Sequence, residues 1–316
     1  MDGYDFYELT DYISESYLIS FFGRVNYVLN DRYLLTLTLR DDGSSRFSPE
    51  TRWGLFPSAA FAWNITKENF FTLKTISNLK LRLGYGITGQ QNLSDDDYPY
   101  QPLYAFAEKG AYYPFGDTFI QTARPGGYDA NLKWEETTTY NLGIDYGILN
   151  DRITGDFDLY YRKTTDLINQ IPVPAGTNLT NQITTNVGDL ENKGVEFSIN
   201  GKVITTGDLD WEVGFNATYN VNKITKLIAV DDPTYKGVYT GGIGGGTGNT
   251  IQIHSIGYPS NSFYVRQQVY DADGNPLEDV YVDRSGDGSI STDDNYRYKK
   301  PAPTVFMGFS SLLRYK

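Results

Sequence analysis

Residues 78–89 read NLKLRLGYGITG, and every second position is apolar or aromatic: Leu79, Leu81, Leu83, Tyr85 and Ile87. Lys80, Arg82, Gly84, Gly86 and Thr88 stand between them. Successive side chains point to opposite faces of a strand, so this stretch predicts a strand with one apolar and one polar face. The period returns along the chain. Tyr17, Ile19, Phe21, Val25, Tyr27 and Leu29 oppose Ser20, Arg24 and Asn26, and Tyr33, Leu35, Leu37 and Leu39 oppose Thr36, Thr38 and Arg40. WGLFPSAAFAWNI, YNLGIDYGI, ITGDFDLYY, GVEFSIN, DWEVGFNATYN and the closing TVFMGFSSLLRYK repeat it, giving about nine strands. They run roughly 10–14 residues, above the usual mode and long enough to cross a bilayer when tilted.

An apolar face of this kind either covers the core of a soluble sandwich or meets lipid. The connections separate the two. Asn30-Asp31 and Asn150-Asp151 are tight, because Asx residues tolerate turn dihedrals. Segments 65–77 and 201–207 are moderate and short, whereas 41–52, 90–133, 164–184 and the run from 223 onward are long. Short and long alternate along the chain, which gathers short turns at one end of the sheet and long loops at the other. Outer-membrane barrels have that asymmetry, and a globular domain with so many long loops at one end is unusual. The fold class read from the sequence is therefore all-β, a partial antiparallel transmembrane β-barrel. Its rival is a soluble all-β binding or adhesin module.

Composition narrows this further. With 27 basic and 39 acidic residues among 316, the net charge is −12, which argues against a nucleic-acid partner. The absence of cysteine removes disulfides, thiolate metal sites and Cys nucleophiles. No apolar run approaches the length of a membrane helix. Mean hydropathy of −0.44 looks soluble, but barrels dilute their lipid-facing residues with polar ones. The 27 Tyr and 17 Phe suit aromatic girdles at the membrane interfaces, and equally a β-rich protein or a sugar-stacking surface. The opening MDGYDFYELT has neither a basic nor an apolar leader region, so any export signal lies upstream.

LLTLTLRDDGSSRFSPETRWGLFPSAAFAW, ISNLKLRLGYGITGQQ, NLKWEETTTYNLGIDYGILNDRITGDFDLYYRKTTDLI, NVGDLENKGVEFSIN and YVDRSGDGSISTDD occur in order over residues 17–316. Together they resemble the barrel of the SusC/RagA family of TonB-dependent outer-membrane transporters. The resemblance implies that the strands are part of a 22-stranded barrel in the bacterial outer membrane. It implies import of glycans or oligopeptides with a SusD-like surface lipoprotein, and contact with the TonB complex through a plug domain that these residues do not include. On this reading 1–16 is an extracellular loop remnant and 17–222 carries barrel strands with extracellular loops at 41–52, 90–133 and 164–184. Residues 223–303 form a long extracellular region, 304–316 a further strand, and the whole reads as a piece of a longer transporter. No enzyme activity and no required cofactor are expected.

Candidate chemistry is sparse. DRSGDGSISTDD, residues 283–294, fits a 12-residue calcium loop, with Asp283, Ser285, Asp287, Ser289 and Asp294 as oxygen donors and Gly288 at the sharp turn. Ser at the third position and Asp at the twelfth depart from that pattern, and the bland alternative is an acidic glycine turn. His254 is the only histidine and reads as a loop residue. The acid pairs at 95–97, Glu135-Glu136 and 231–232 read as solvated surface rather than glycosidase chemistry. GGIGGGTG (241–248) lacks a strand–GxGxxG–helix setting and reads as a flexible loop. Tyr98, Tyr100, Tyr104, Tyr112, Tyr113 and Phe115, with Phe106 and Phe119, sit in the longest early loop. There they stack on cargo, or pack the loop on itself or on a lid. Arg24, Arg40, Lys80, Arg82, Asp145, Asp156, Asp158, Glu196 and Glu212 fall on the polar strand face, where pairing among them is expected.

Overall fold

The computed structural model describes residues 15–93, 98–106, 112–173, 176–227, 235–244 and 250–315. Nine long strands dominate: β1 (Leu18–Leu29), β2 (Tyr33–Ser44), β3 (Trp53–Asn64), β4 (Ile76–Gln90), β5 (Glu135–Ile148), β6 (Ile153–Thr165), β7 (Asp189–Thr205), β8 (Leu209–Lys226) and β9 (Val305–Tyr315). They pair antiparallel in chain order in a single sheet. Among the described residues β1 and β9 each pair along one edge only. No described helix is long and apolar enough to cross a membrane.

Register carries the alternation from strand to strand. Tyr27, Leu35, Phe61, Leu83, Leu142, Leu159, Val195, Tyr219 and Val305 form one cross-strand row over all nine strands. A one-residue slip in any pairing would turn a whole strand's apolar set to the polar side, so the shared pattern fixes the register. This row and its neighbours are open. Phe21 is 64 % exposed, Val25 61 %, Leu39 52 % and Leu142 41 %. No second layer of protein covers them, as a sandwich would require. The apolar side of the sheet therefore has no protein partner among the described residues.

Both Asx turns form as expected. Asn30 and Asp31 have φ of 53° and 54°, the left-handed values of a tight hairpin. The other turn is wider than its sequence suggests, because Leu149 joins Asn150 and Asp151 at positive φ and its N–H is held by the Thr75 carbonyl at 2.8 Å. Three strand ends differ from the sequence reading, the first being β8, which stays paired to β7 through Lys226 where loop was expected from 223. β2 continues through Asp41–Ser44, paired to Leu18–Phe21, so the loop shrinks to 45–52. β7 likewise runs through Gly201–Thr205, with a bulge between Lys202 and Ile204, leaving 206–208 as the turn. Polar and glycine residues marked the latter two segments as loop, and partner strands overrode that propensity.

The largest buried apolar cluster lies at the long-loop end, where loop residues pack on the ends of β3 and β4. Phe47, Phe56, Leu93, Leu132 and Trp134 pack together at the long-loop end, with Ile87, Tyr100 and Ile168 against them. Trp134 is 5.3 Å from Phe47 and 5.4 Å from Phe56 between ring centroids. Its indole N–H donates to the Arg52 carbonyl at 2.8 Å, and the Thr51 hydroxyl donates to the Leu132 carbonyl at 2.6 Å. At the short-turn end, Glu68 accepts from Tyr33 Oη (2.6 Å), Trp63 Nε1 (3.0 Å) and Arg32 Nη1 (3.1 Å), tying the 65–75 turn to two strands.

Candidate functional site: a polar wall beneath a loop cleft

The polar face holds a connected ion network on adjacent strands. Arg82 Nε donates to Asp145 Oδ1 at 2.7 Å and Arg82 Nη2 to Asp158 Oδ2 at 2.8 Å, while Lys80 Nζ meets Asp145 Oδ2 at 3.2 Å. The network needs Gly143, because a Cβ there would lie 2.4 Å from Asp158 Oδ1. Arg40 pairs with Asp42 at 2.7 Å and reaches Ser20 at 3.0 Å, Arg24 meets Thr38 at 3.2 Å, and Asp156 accepts from the Ser198 hydroxyl. Glu196 and Glu212 share this face. The charges predicted for the polar side are thus there, and most hold one another or a neighbouring hydroxyl.

Above the wall, two long loops meet. Asn178 exchanges hydrogen bonds with the backbone of Tyr128, and Asn186 with that of Lys133. Close approach requires Gly127, where a Cβ would sit 2.3 Å from Thr180 Oγ1. Between these segments lies a cleft of about 360 Å³ lined by Tyr98, Gln101, Arg124, Gln170, Gln182 and Thr184 among others. Amides, hydroxyls and one guanidinium make it a hydrogen-bonding surface with an aromatic edge. Tyr98 is the one lining residue that the sequence had singled out. The rest come from loops separated in sequence and carry no local motif that marks them.

The other loop aromatics divide. Tyr98 and Tyr100 meet edge-on at 6.3 Å, and Tyr100 packs against the buried loop core rather than opening to solvent. Tyr112, Tyr113 and Phe115 lie on a hairpin (Tyr112–Phe115 paired with Thr118–Gln121), where Phe115 is 67 % exposed and the Tyr113 ring meets it at a tilt, 5.4 Å between centroids. Tyr104 and Phe106 lie on a separate two-stranded piece and are exposed. The six residues therefore do not form a single surface.

In loop 283–294 the acids turn to their own backbone. Asp294, fully buried, accepts from the N–H groups of Arg284, Ser285 and Ser291, and these hold its carboxyl down at about 2. Asp283 accepts from Gly286 and Gly288, and Asp287 from Ser289. Gly286 and Gly288 take positive φ, as the turn demands. Ser291 and Asp294 form a capping box on the turn Thr292–Asp294. Among the described residues no three His, Asp or Glu side chains converge as a metal-binding group. Calcium would have to displace N–H donors from Asp283 and Asp294.

His254 ends the short strand Thr250–His254, half-buried, and burial lowers its pKa. Glu135 and Glu136 point to opposite faces, and Glu135 accepts from the Ile168 N–H at 3.1 Å. Acids 95–97 and 231–232 lie outside the described residues, as do 245–248 of the glycine-rich segment and residues 1–14 of the amino-terminal stretch.

A meandering sheet, apolar and open on one side, charged on the other, with its loops massed at one end, is the wall of a membrane-spanning β-barrel. Residues 2–316 match the family model described as "TonB dependent receptor-like, beta-barrel", and the chain belongs to that family. It is 53 % identical over 310 residues to TonB-dependent receptor SusC of Bacteroides thetaiotaomicron, spanning 98 % of this chain and 31 % of that protein. TonB-dependent receptor P3 of Formosa agariphila is 36 % identical over 97 % of this chain and 31 % of its own length. The RagAB peptide importer in its open-open state superposes with a TM-score of 0.78 at 26 % identity, over 96 % of this chain and 32 % of that one. The chain is thus a SusC/RagA-type outer-membrane barrel segment, about a third as long as the relatives it matches. Those relatives are receptors and transporters by name, not enzymes.

Proposed function

We propose that this chain supplies barrel wall and extracellular loops to a SusC-like TonB-dependent importer of glycans or oligopeptides. The observation that carries the reading is the two-faced sheet, lipid-compatible outside and hydrogen-bonding inside, beneath a polar cleft. Cargo captured at the loops passes a wall whose charges are already paired, so the wall holds it weakly and lets it move on. A SusD-like lipoprotein covers the loops, and TonB supplies the energy through a plug that these residues do not include. Tyr98 and the amides around it make the first contacts, and the exposed hairpin of Tyr112, Tyr113 and Phe115 and, separately, Tyr104 meet cargo or lid. Tyr100 supports Tyr98 from the loop core. Calcium enters the proposal only at Asp283, Ser285, Asp287, Ser289 and Asp294, where it would exchange with N–H donors. Protection of that loop from protease on calcium addition tests this part.

The test of the main reading uses the full-length receptor with its lipoprotein in proteoliposomes. Binding of neutral oligosaccharides and of oligopeptides is compared before and after Tyr98→Ala with Gln101→Ala. We expect one ligand class to bind and the double variant to weaken it at least tenfold. If neither class binds, or the variant changes nothing, the reading fails. The soluble-module rival makes the opposite forecast, a chain that stays monodisperse without detergent.

A further inference from the structure

The apolar side of the sheet is not uniform near its long-loop end. Register places Lys163, Glu191 and Lys223 side by side across β6, β7 and β8, all on the apolar side. The next rung toward the middle is Tyr161, Lys193 and Val221, and the one below is Leu159, Val195 and Tyr219. Three lysines thus flank Glu191 on the side that faces hydrocarbon, with Glu136 diagonal to Lys163 on β5, in a chain whose net charge is −12. Glu191 does not neutralise them. Its carboxylate is 3.6 Å from Lys193 Nζ, longer than the ion contacts of 2.7–3.2 Å in the Arg82 network, and Lys193 is two-thirds exposed. Beneath the lysines is an apolar groove of about 520 Å³, lined by Leu159, Tyr161, Lys193, Val195, Tyr219 and Val221. Lys193 Nζ lies 5.3 Å above the Tyr161 ring, at the groove's upper end.

Charge at a membrane-facing surface is costly unless it is placed at the headgroup level and matched there. Two cations on one rung and a third on the next, at the upper end of an apolar slot, match a lipid whose anionic headgroup sits over an acyl chain. Because this end of the sheet carries the long loops, the height is that of the outer leaflet. We propose that Lys163, Lys193 and Lys223 bind a phosphorylated glycolipid of the outer leaflet, with one acyl chain lying in the groove between Tyr161 and Tyr219. Phosphate is the group these lysines recognise, since as point charges they tolerate any orientation of its oxygens. The site is on the outside of the barrel and is independent of the import reading.

Native mass spectrometry of the full-length receptor, extracted from its outer membrane in mild detergent, tests the proposal. The wild-type protein should retain a phosphorylated glycolipid. A triple Lys163→Gln, Lys193→Gln, Lys223→Gln variant should lose at least fivefold of it, and Val195→Trp, which fills the groove, should lose it while the lysines remain. Heat-modifiable migration on gels confirms that each variant still folds as a barrel. For any variant that does not fold, the readout is wild-type retention against dephosphorylated glycolipid, expected to fall by the same factor. Unchanged retention in the folded variants, retention of phospholipid instead, or a second barrel copy on this face in place of lipid would each overturn the assignment.

Discussion

The sheet and the loop layer use the same residues in opposite ways. In the loops, Phe47, Leu132 and Trp134 are buried against one another, at 0 %, 0 % and 5 % exposure. In the sheet, Phe21, Leu39 and Trp53 stand open at 64 %, 52 % and 48 %. Both regions are well formed, so exposure here is not poor packing. The loops work in water and must build a core of their own to offset the ordering of their backbone. The sheet has lipid as its apolar partner and needs no second layer. A buried core therefore marks the part of this chain that faces water, as in a globular domain, and the open apolar face marks the part that meets lipid.

Perturbing the two regions should separate them. The largest effect is expected at the loop core, where Trp134→Ala removes both the aromatic packing and the hydrogen bond to Arg52. It should cost the loop layer about 3–5 kcal/mol, read as faster protease cutting between β4 and β5 of the full-length receptor while the barrel stays heat-modifiable. Loss of the barrel itself would show that the two regions are one cooperative unit.

Next comes Leu83→Arg, in the middle of β4 and in register with Leu142 and Phe61. An arginine at the bilayer midplane should destabilise the barrel by about 2–4 kcal/mol, measured by denaturant titration in lipid vesicles. A neutral result would mean that this face does not meet hydrocarbon. Smaller effects follow on the glycines. Gly143→Ala drives a methyl into Asp158 and Arg82 and should cost about 1–3 kcal/mol by the same measurement. Gly23→Ala, with nothing within 4 Å, should gain about 0.5–1 kcal/mol from reduced backbone freedom.

The smallest is a pH effect confined to loop 283–294. Three backbone N–H groups lower Asp294 to about 2 from an unfolded value near 3.8. Its folded pKa lies below its unfolded one, so the carboxylate stabilises the loop above about pH 4 and the contribution disappears as pH falls toward 2. Hydrogen-exchange protection at Arg284, Ser285 and Ser291, taken relative to the intrinsic rate at each pH, should fall over that window, and Asp294→Asn should remove the pH dependence.

The sequence by itself determined the strands, their two faces and the sense of their connections. Alternation along a strand is local, and Asn30-Asp31 and Asn150-Asp151 write their turns in the residues themselves. It also placed Lys80, Arg82, Asp145 and Asp158 on one face, because residue parity alone assigns them there. Only the tertiary structure decided what each face meets and where strands stop. Asp41–Ser44 and Gly201–Thr205 became strand because neighbouring strands supplied hydrogen-bond partners, which local propensity cannot register. The loop core depended on contacts such as Phe47 with Trp134, and the cleft on Gln101 and Gln182 lining one space, residues too distant in sequence for any local pattern to join. Periodicity encodes direction, whereas burial depends on what arrives from elsewhere in the chain.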